Sequence, residues 1–208
     1  VMGGGLIFLL LLQEIAGMLP QILWIPGMVT AFVAMIGLLK ICSGMLLKNV
    51  TYHAFRAFIL AELVASLEWQ LYSYFVRGKP SDVLTVRILY VIVVYSLVFL
   101  SAYLLEKKML TDKNVVQISG KDLTYVIIIS VFVFCLSNLS FIDPATPFSS
   151  SREPEIFNIR TIVDLTGFVI LFAHYTLTNE LHIRYERDTM EHILQNQLMQ
   201  YKLSRESI

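Results

Sequence analysis

Four carboxylates stand where a carboxylate is costly. Glu14, Glu62, Glu68 and Asp164 each interrupt a long apolar run, and an acid at the centre of a membrane span costs about 2.5–3.5 kcal/mol on insertion scales. Each therefore calls for a role: binding a ligand, carrying a proton, or tying helices together. Glu62, Ser66, Trp69, Gln70 and Ser73 are spaced by threes and fours, which places them on neighbouring faces of one helix. Glu68 lies about 120° from Glu62 around that helix, with Tyr72 one turn beyond it. Such a face is either a binding surface with a protonatable switch, or a set of interhelical hydrogen bonds holding a bundle. Trp69 and Tyr72 also suit an aromatic belt at a membrane boundary. Further along, Arg160 and Asp164 are one turn apart and able to pair. They open a stripe of Asp164, Gly167, Leu171, Tyr175 and Thr178, in which Gly167 is expected to permit close helix approach at a dimer axis. The candidate ligand-sensing residues are Glu62, Glu68, Trp69, Tyr72 and Asp164.

Other chemistry finds little support. His53 and His174 have no His, Cys or carboxylate partner at metal-ligand or haem spacing. Cys42 and Cys135 lie in or beside apolar runs, which excludes a disulfide-stapled scaffold and a cysteine-rich zinc site. No nucleophile is paired with a base or metal as an intramembrane hydrolase would need. No catalytic residue, metal or cofactor is expected in this chain.

The elements that must position the acids are membrane helices. Of 208 residues, 56% are hydrophobic and 15% charged, against about 25% charged in a soluble domain. Sixteen basic and sixteen acidic residues cancel, so no global field recruits nucleic acid. A helix crossing the hydrocarbon core needs about 20 apolar residues. The apolar runs give six spans, near 6–21, 22–40, 55–76, 87–105, 123–142 and 161–180. The first is short, contains Glu14 and ends at Pro20. No basic residue precedes it, which argues against a secretory signal. The fold expected is an all-α polytopic bundle over 1–180, followed by a cytoplasmic helix over 181–208.

Charge sets the orientation. With six spans, one side holds Lys40, Lys48, Arg56, Lys107, Lys108, Lys113, Lys121, Arg184, Arg187, Lys202 and Arg205; the other holds Arg77, Lys79, Arg87, Arg152 and Arg160. The excess makes the first side cytoplasmic, with both termini inside. The outer loops are then small. The longest, 143–158, is a proline- and serine-rich stretch too short for a ligand-binding domain. No internal repeat is evident, which weakens a secondary-transporter reading.

From Arg160 to Ile208 there is no proline, and the single glycine is Gly167. One helix is expected to run from the sixth span into the cytoplasm. Beyond Asn179 its spacing of four then three marks a heptad seam: Ile183, Arg187, Met190, Leu194, Gln197 and Tyr201, continued by Ser204 and Ile208. A weak parallel coiled coil in a homodimer is expected, its polar seam positions keeping it marginal enough to shift; a solvated, frayed tail is the competing reading. The chain stops within this helix on Arg205-Glu206-Ser207-Ile208, which reads as an end before a further cytoplasmic domain.

The third helix, Ala54-Phe55-Arg56-Ala57-Phe58-Ile59-Leu60-Ala61-Glu62 followed by Ala65-Ser66-Leu67-Glu68-Trp69-Gln70-Leu71-Tyr72, resembles the membrane region of GHKL-type sensor histidine kinases from Firmicutes. The stretch from Leu194 to Ile208, with Gln200-Tyr201-Lys202-Leu203-Ser204-Arg205-Glu206-Ser207, is similar to the linker helix before the phosphoacceptor segment in that family. The resemblance implies the membrane input module of a two-component system in a bacterial plasma membrane. Its ligand would be a peptide or a small lipophilic molecule, and a response regulator would be reached only through a kinase domain. That family's His-Asp-Leu-Lys-His box and ATP-binding boxes are absent here, and His182 and His192 lack the acidic and basic context of a phosphoacceptor. The chain as it stands is expected to be no enzyme, with ATP and Mg²⁺ belonging to the kinase domain. The competing class is a small transporter or channel working through Glu62, Glu68 and Asp164.

Overall fold

The computed structural model describes residues 2–77, 83–109, 118–142 and 153–206. The side chains of Glu14 and Lys108, the loop cations Lys79, Lys113 and Arg152, and Ile208 lie outside what is described. Within the described residues six helices follow one another: α1 (Met2–Met18), α2 (Gln21–Ser43), α3 (Leu47–Phe75), α4 (Leu84–Met109), α5 (Gly120–Ile142) and α6 (Glu153–Glu206). Among the described residues there is no strand. Among the described residues, five helices, α2 to α6, are long and apolar enough to cross a membrane, while α1 has 17 residues.

The side-chain pattern is that of a membrane protein. Ile88, Leu89, Ile92, Val93, Leu97 and Leu100 of α4 are all exposed, as are Ile128, Val131 and Phe132 of α5. Large apolar faces of this kind need a lipid or protein environment. Hydroxyls on exposed faces bond their own helix: Ser101 donates to the Leu97 carbonyl at 2.7 Å, Thr124 to Gly120 at 2.9 Å and Thr166 to Ile162 at 2.7 Å. That i−4 bond lets a polar side chain enter an environment without water.

Helix α3 is the centre of the bundle. It packs against α2, α4, α5 and α6, α5 packs on α6, and α1 rests on α2. The core is made by Tyr52 and Ile59 of α3, Ile118, Val126 and Val133 on or just before α5, and Leu171 and Tyr175 of α6. α2 ends at Gly44, whose φ of 65° is the left-handed conformation that glycine adopts without penalty. Its N–H donates to the Lys40 carbonyl at 3.3 Å, and only Gly44–Leu46 separate α2 from α3. α5 starts from a reciprocal cap. The Asp122 N–H donates to Ser119 Oγ at 3.1 Å, and the Ser119 N–H donates to Asp122 Oδ2 at 3.2 Å.

α6 is a single helix of 54 residues, about 81 Å long at 1.5 Å per residue. It begins at Glu153, so the end of the stretch expected to be an outer loop is helical. Pro154 is compatible with this because it sits in the first turn, where a missing N–H forfeits no helical bond. α3 also extends beyond its apolar run, beginning at Leu47.

Candidate functional site: a buried ion cluster across three helices

The expected stripe on α6 is the face turned into the bundle. Asp164, Gly167, Leu171 and Tyr175 are buried and Thr178 is half-buried. Asp164 is 0% exposed. One turn earlier, Arg160 reaches away from its own helix, and its Nη2 donates to Glu62 Oε2 of α3 at 2.9 Å. Its Nε lies 3.9 Å from Asp164 Oδ2. The one-turn spacing thus identified a real neighbour, but the stronger partner of Arg160 is on another helix. Two of the proposed sensing residues, Glu62 and Asp164, are brought together through this single guanidinium.

Polar side chains from α3 and α5 complete the surroundings. Ser66 and Ser137 stand beside the Asp164 carboxylate, and Asn138 stands beside Glu62. The Ser66 hydroxyl donates to the Leu63 carbonyl at 3.1 Å, and Asn138 Nδ2 donates to the Phe134 carbonyl at 2.9 Å. Ser66, Ser137 and Asn138 are 1–2% exposed. Both Asp164 oxygens, Ser137 Oγ and Asn138 Oδ1 are buried without a well-formed hydrogen bond. Buried polar atoms are almost always satisfied, so this concentration of unsatisfied oxygen distinguishes the cluster from ordinary packing.

Gly167 is occupied from within the chain. A Cβ at this position would stand 2.7 and 2.9 Å from the two methyls of Val133 on α5. The expectation that Gly167 lies at a dimer axis is corrected: the close approach it permits is α5 on α6.

The remaining sensing candidates lie near the far end of α3. The Arg77 guanidinium is 5.6 Å from the Trp69 ring, and that of Arg87 is 6.0 Å from Trp69 and 5.7 Å from Tyr72. Trp69 and Tyr72 are themselves 6.1 Å apart. Glu68 is half-buried and has Arg87 of α4 as its compensating charge. Trp69 and Tyr72 thus belong to an arginine–aromatic group separate from the Glu62–Arg160–Asp164 pairing.

A second polar cluster escaped the sequence reading. Arg56, expected as a loop cation, is 9% exposed inside the bundle. Its Nη2 donates to Glu106 Oε1 of α4 at 2.5 Å, and its guanidinium stacks 3.9 Å over the Tyr175 ring. Tyr52 Oη lies 3.3 Å from His174 Nδ1, and His174 Nε2 lies 3.6 Å from Asp122 Oδ1. A lateral cavity of about 340 Å³ opens between α3, α4 and α6, with Arg56 and Glu106 among apolar walls that include Phe99, Phe168 and Phe172. The one sequence signal was the i, i+4 pair of Tyr52 and Arg56 on α3; the partners come from distant helices. Among the described residues, no three His, Cys, Asp or Glu side chains gather as a metal centre.

On the emerging part of α6, Ile183 is half-buried and Arg187, Met190, Leu194, Gln197 and Tyr201 are exposed. Met190 is 68%, Leu194 58% and Tyr201 68% accessible, so in the single chain the seam is uncovered.

The fold and the cluster define an all-helical membrane protein organised around a buried ion pairing. Comparison of the chain with protein-family models, curated proteins and solved structures finds no match.

Proposed function

We propose that this chain is the membrane input module of a two-component sensor histidine kinase, as its resemblance to the GHKL-type family implies. In this reading it crosses a bacterial plasma membrane six times, keeps both termini in the cytoplasm and works as a homodimer. The observation that carries the proposal is the continuity of α6. One unbroken helix holds Asp164 in the buried cluster and, farther on, presents an uncovered heptad seam. A helix transmits rotation or translation along its length, so a rearrangement at Asp164 moves the seam.

The faces are arranged for that task. The seam lies about 120° around α6 from the face that packs in the bundle, so a second copy can engage it without displacing α3 or α5. Traced back at the same spacing, the seam face carries Leu165 and Val169, both exposed. Asn179, Ile183 and Arg187 follow one another in two steps of four. This is a stutter, which locally unwinds a coiled coil, placed where the helix leaves the bundle. A ligand preferring one arrangement of the helices shifts the balance between two states in proportion to its differential affinity for them. The Trp69–Arg77–Arg87 end and the cluster itself are where a peptide or small lipophilic molecule would act. ATP, Mg²⁺ and the response regulator belong to the kinase domain, and no residue of this chain is assigned to them.

The test is cysteine crosslinking in membranes. Cys42 and Cys135 are both exposed and are first replaced by serine. Met190→Cys and Leu194→Cys should each give symmetric crosslinked dimers, whereas Tyr185→Cys, on the opposite side of α6, should not. Monomeric tails at both seam positions would overturn the proposal. Substrate flux into liposomes that depends on Glu62 or Glu68 would instead place the chain among transporters.

A further inference from the structure

Among the described residues, the charge of the ion cluster does not close. Glu62 and Asp164 supply two carboxylates, while Arg160 supplies one guanidinium. Arg160 donates to Glu62 at 2.9 Å and approaches Asp164 only through Nε at 3.9 Å. Asp164 is therefore the under-compensated acid, and it is the one at 0% exposure. An isolated buried carboxylate is far too costly to persist without a counter-charge or a proton. Both Asp164 oxygens and Ser137 Oγ are buried with no well-formed hydrogen bond, as are Asn138 Oδ1 beside Glu62 and the Arg160 Nε–H. Ser66 and Ser137 flank the carboxylate itself.

We propose that this cluster binds one monovalent alkali cation, held by Asp164 with the hydroxyl oxygens of Ser66 and Ser137 beside it. The donor set is purely oxygen, which suits a hard cation rather than a thiolate- or imidazole-loving metal. The valence follows from the residual charge of minus one among the described residues: a monovalent ion neutralises it, whereas Ca²⁺ or Mg²⁺ would leave an unbalanced positive charge next to Arg160. The donors come from α3, α5 and α6, so an ion seated among them ties together the three helices that pack mutually in the bundle. The inference rests on the signalling reading for its consequence, a cation that biases the position of α6. Its test reads binding rather than output, so either can fail without the other.

The full chain is purified into nanodiscs, and its thermal midpoint is followed by tryptophan fluorescence. NaCl is titrated against choline chloride at constant ionic strength, with KCl as a third arm reporting selectivity. The midpoint should rise with Na⁺ and saturate, and the rise should vanish in Asp164→Asn and shrink in Ser137→Ala. Broadening of the ²³Na resonance by the wild-type protein, reduced in Ser137→Ala, gives a second readout if Asp164→Asn fails to fold. An equal response to choline, or an undiminished response together with unreduced broadening in Ser137→Ala, would overturn the proposal. So would a midpoint that follows pH and ignores Na⁺, since Asp164 would then hold a proton instead.

Discussion

Gly167→Ala tests the packing on which the buried cluster depends, because Gly167 lies one turn from Asp164. The added methyl would stand 2.7 Å from Val133 Cγ2, 2.9 Å from Cγ1 and 3.3 Å from Cβ, where carbon atoms settle at about 3.5–4.0 Å. Rotation of Val133 offers little relief. It is 6% exposed, and a β-branched residue in a helix has essentially one favourable χ1. α5 and α6 must therefore separate by some tenths of an ångström, an overpacking cost of about 1–3 kcal/mol. Against this, alanine is the better helix former by about 1 kcal/mol. The expected net effect is a destabilisation of about 0–2 kcal/mol, too narrow to interpret alone. The decisive quantity is the coupling with Val133→Ala. That change alone removes two buried methyls and leaves a void, costing about 2 kcal/mol. In the double variant the methyl added on α6 enters the space that Val133 vacates. The double variant should be more stable than the sum of the single effects by about 1–3 kcal/mol, measured by reversible unfolding in mixed micelles. Additivity within about 0.5 kcal/mol, with Gly167→Ala stabilising on its own, would refute the contact and with it the placement of α5 on α6.

Two further substitutions probe the polar groups. Arg160→Gln leaves Glu62 and Asp164 buried without their shared cation, and should lower stability by about 3 kcal/mol or more. Adding Glu62→Gln should recover part of that loss, as read by thermal midpoint; a further loss would show that Arg160 does not compensate Glu62. Arg56→Lys keeps a positive charge near Glu106 but removes the planar stack on Tyr175. It should cost about 1 kcal/mol in a chemical unfolding series, and a Tyr175→Leu background should abolish the difference between arginine and lysine.

α6 is held on one side by α3 and α5 through the Asp164–Gly167–Leu171–Tyr175 face, and farther on its residues from 184 to 205 are exposed. Its position is thus set within the membrane part. The cluster at one end of that face and, at the other, the Arg56–Tyr175 stack with His174 reaching Tyr52 and Asp122 are polar fastenings. In the proposed signalling, loosening either would let the helix turn about the other, a displacement that the proposed seam with Arg187 and Gln197 in it would report.

The apolar runs alone determined that the chain is helical and built for a membrane, because a span of about 20 residues without charge has few other uses. The absence of proline and of all but one glycine after Arg160 likewise determined the continuity of α6. The helical period picked out Asp164, Gly167, Leu171, Tyr175 and Thr178 as one face, and the structure turns that face inward. What the period does not contain is the identity of the element that the face meets. Gly167 was open to a partner chain until Val133 was found against it. Arg160 had a neighbour four residues away, yet it pairs more closely with Glu62, 98 residues distant in sequence. Arg56 carried the charge of a loop residue and proved to be buried between Glu106 and Tyr175. The physical reason is common to all three. In water, hydropathy separates inside from outside, but in a membrane the lipid and the helix interior are equally apolar. Hydropathy therefore yields the helices and is silent on their rotation and pairing. Those are decided by small residues, buried charges and hydrogen bonds meeting across helices, which only the tertiary structure brings together.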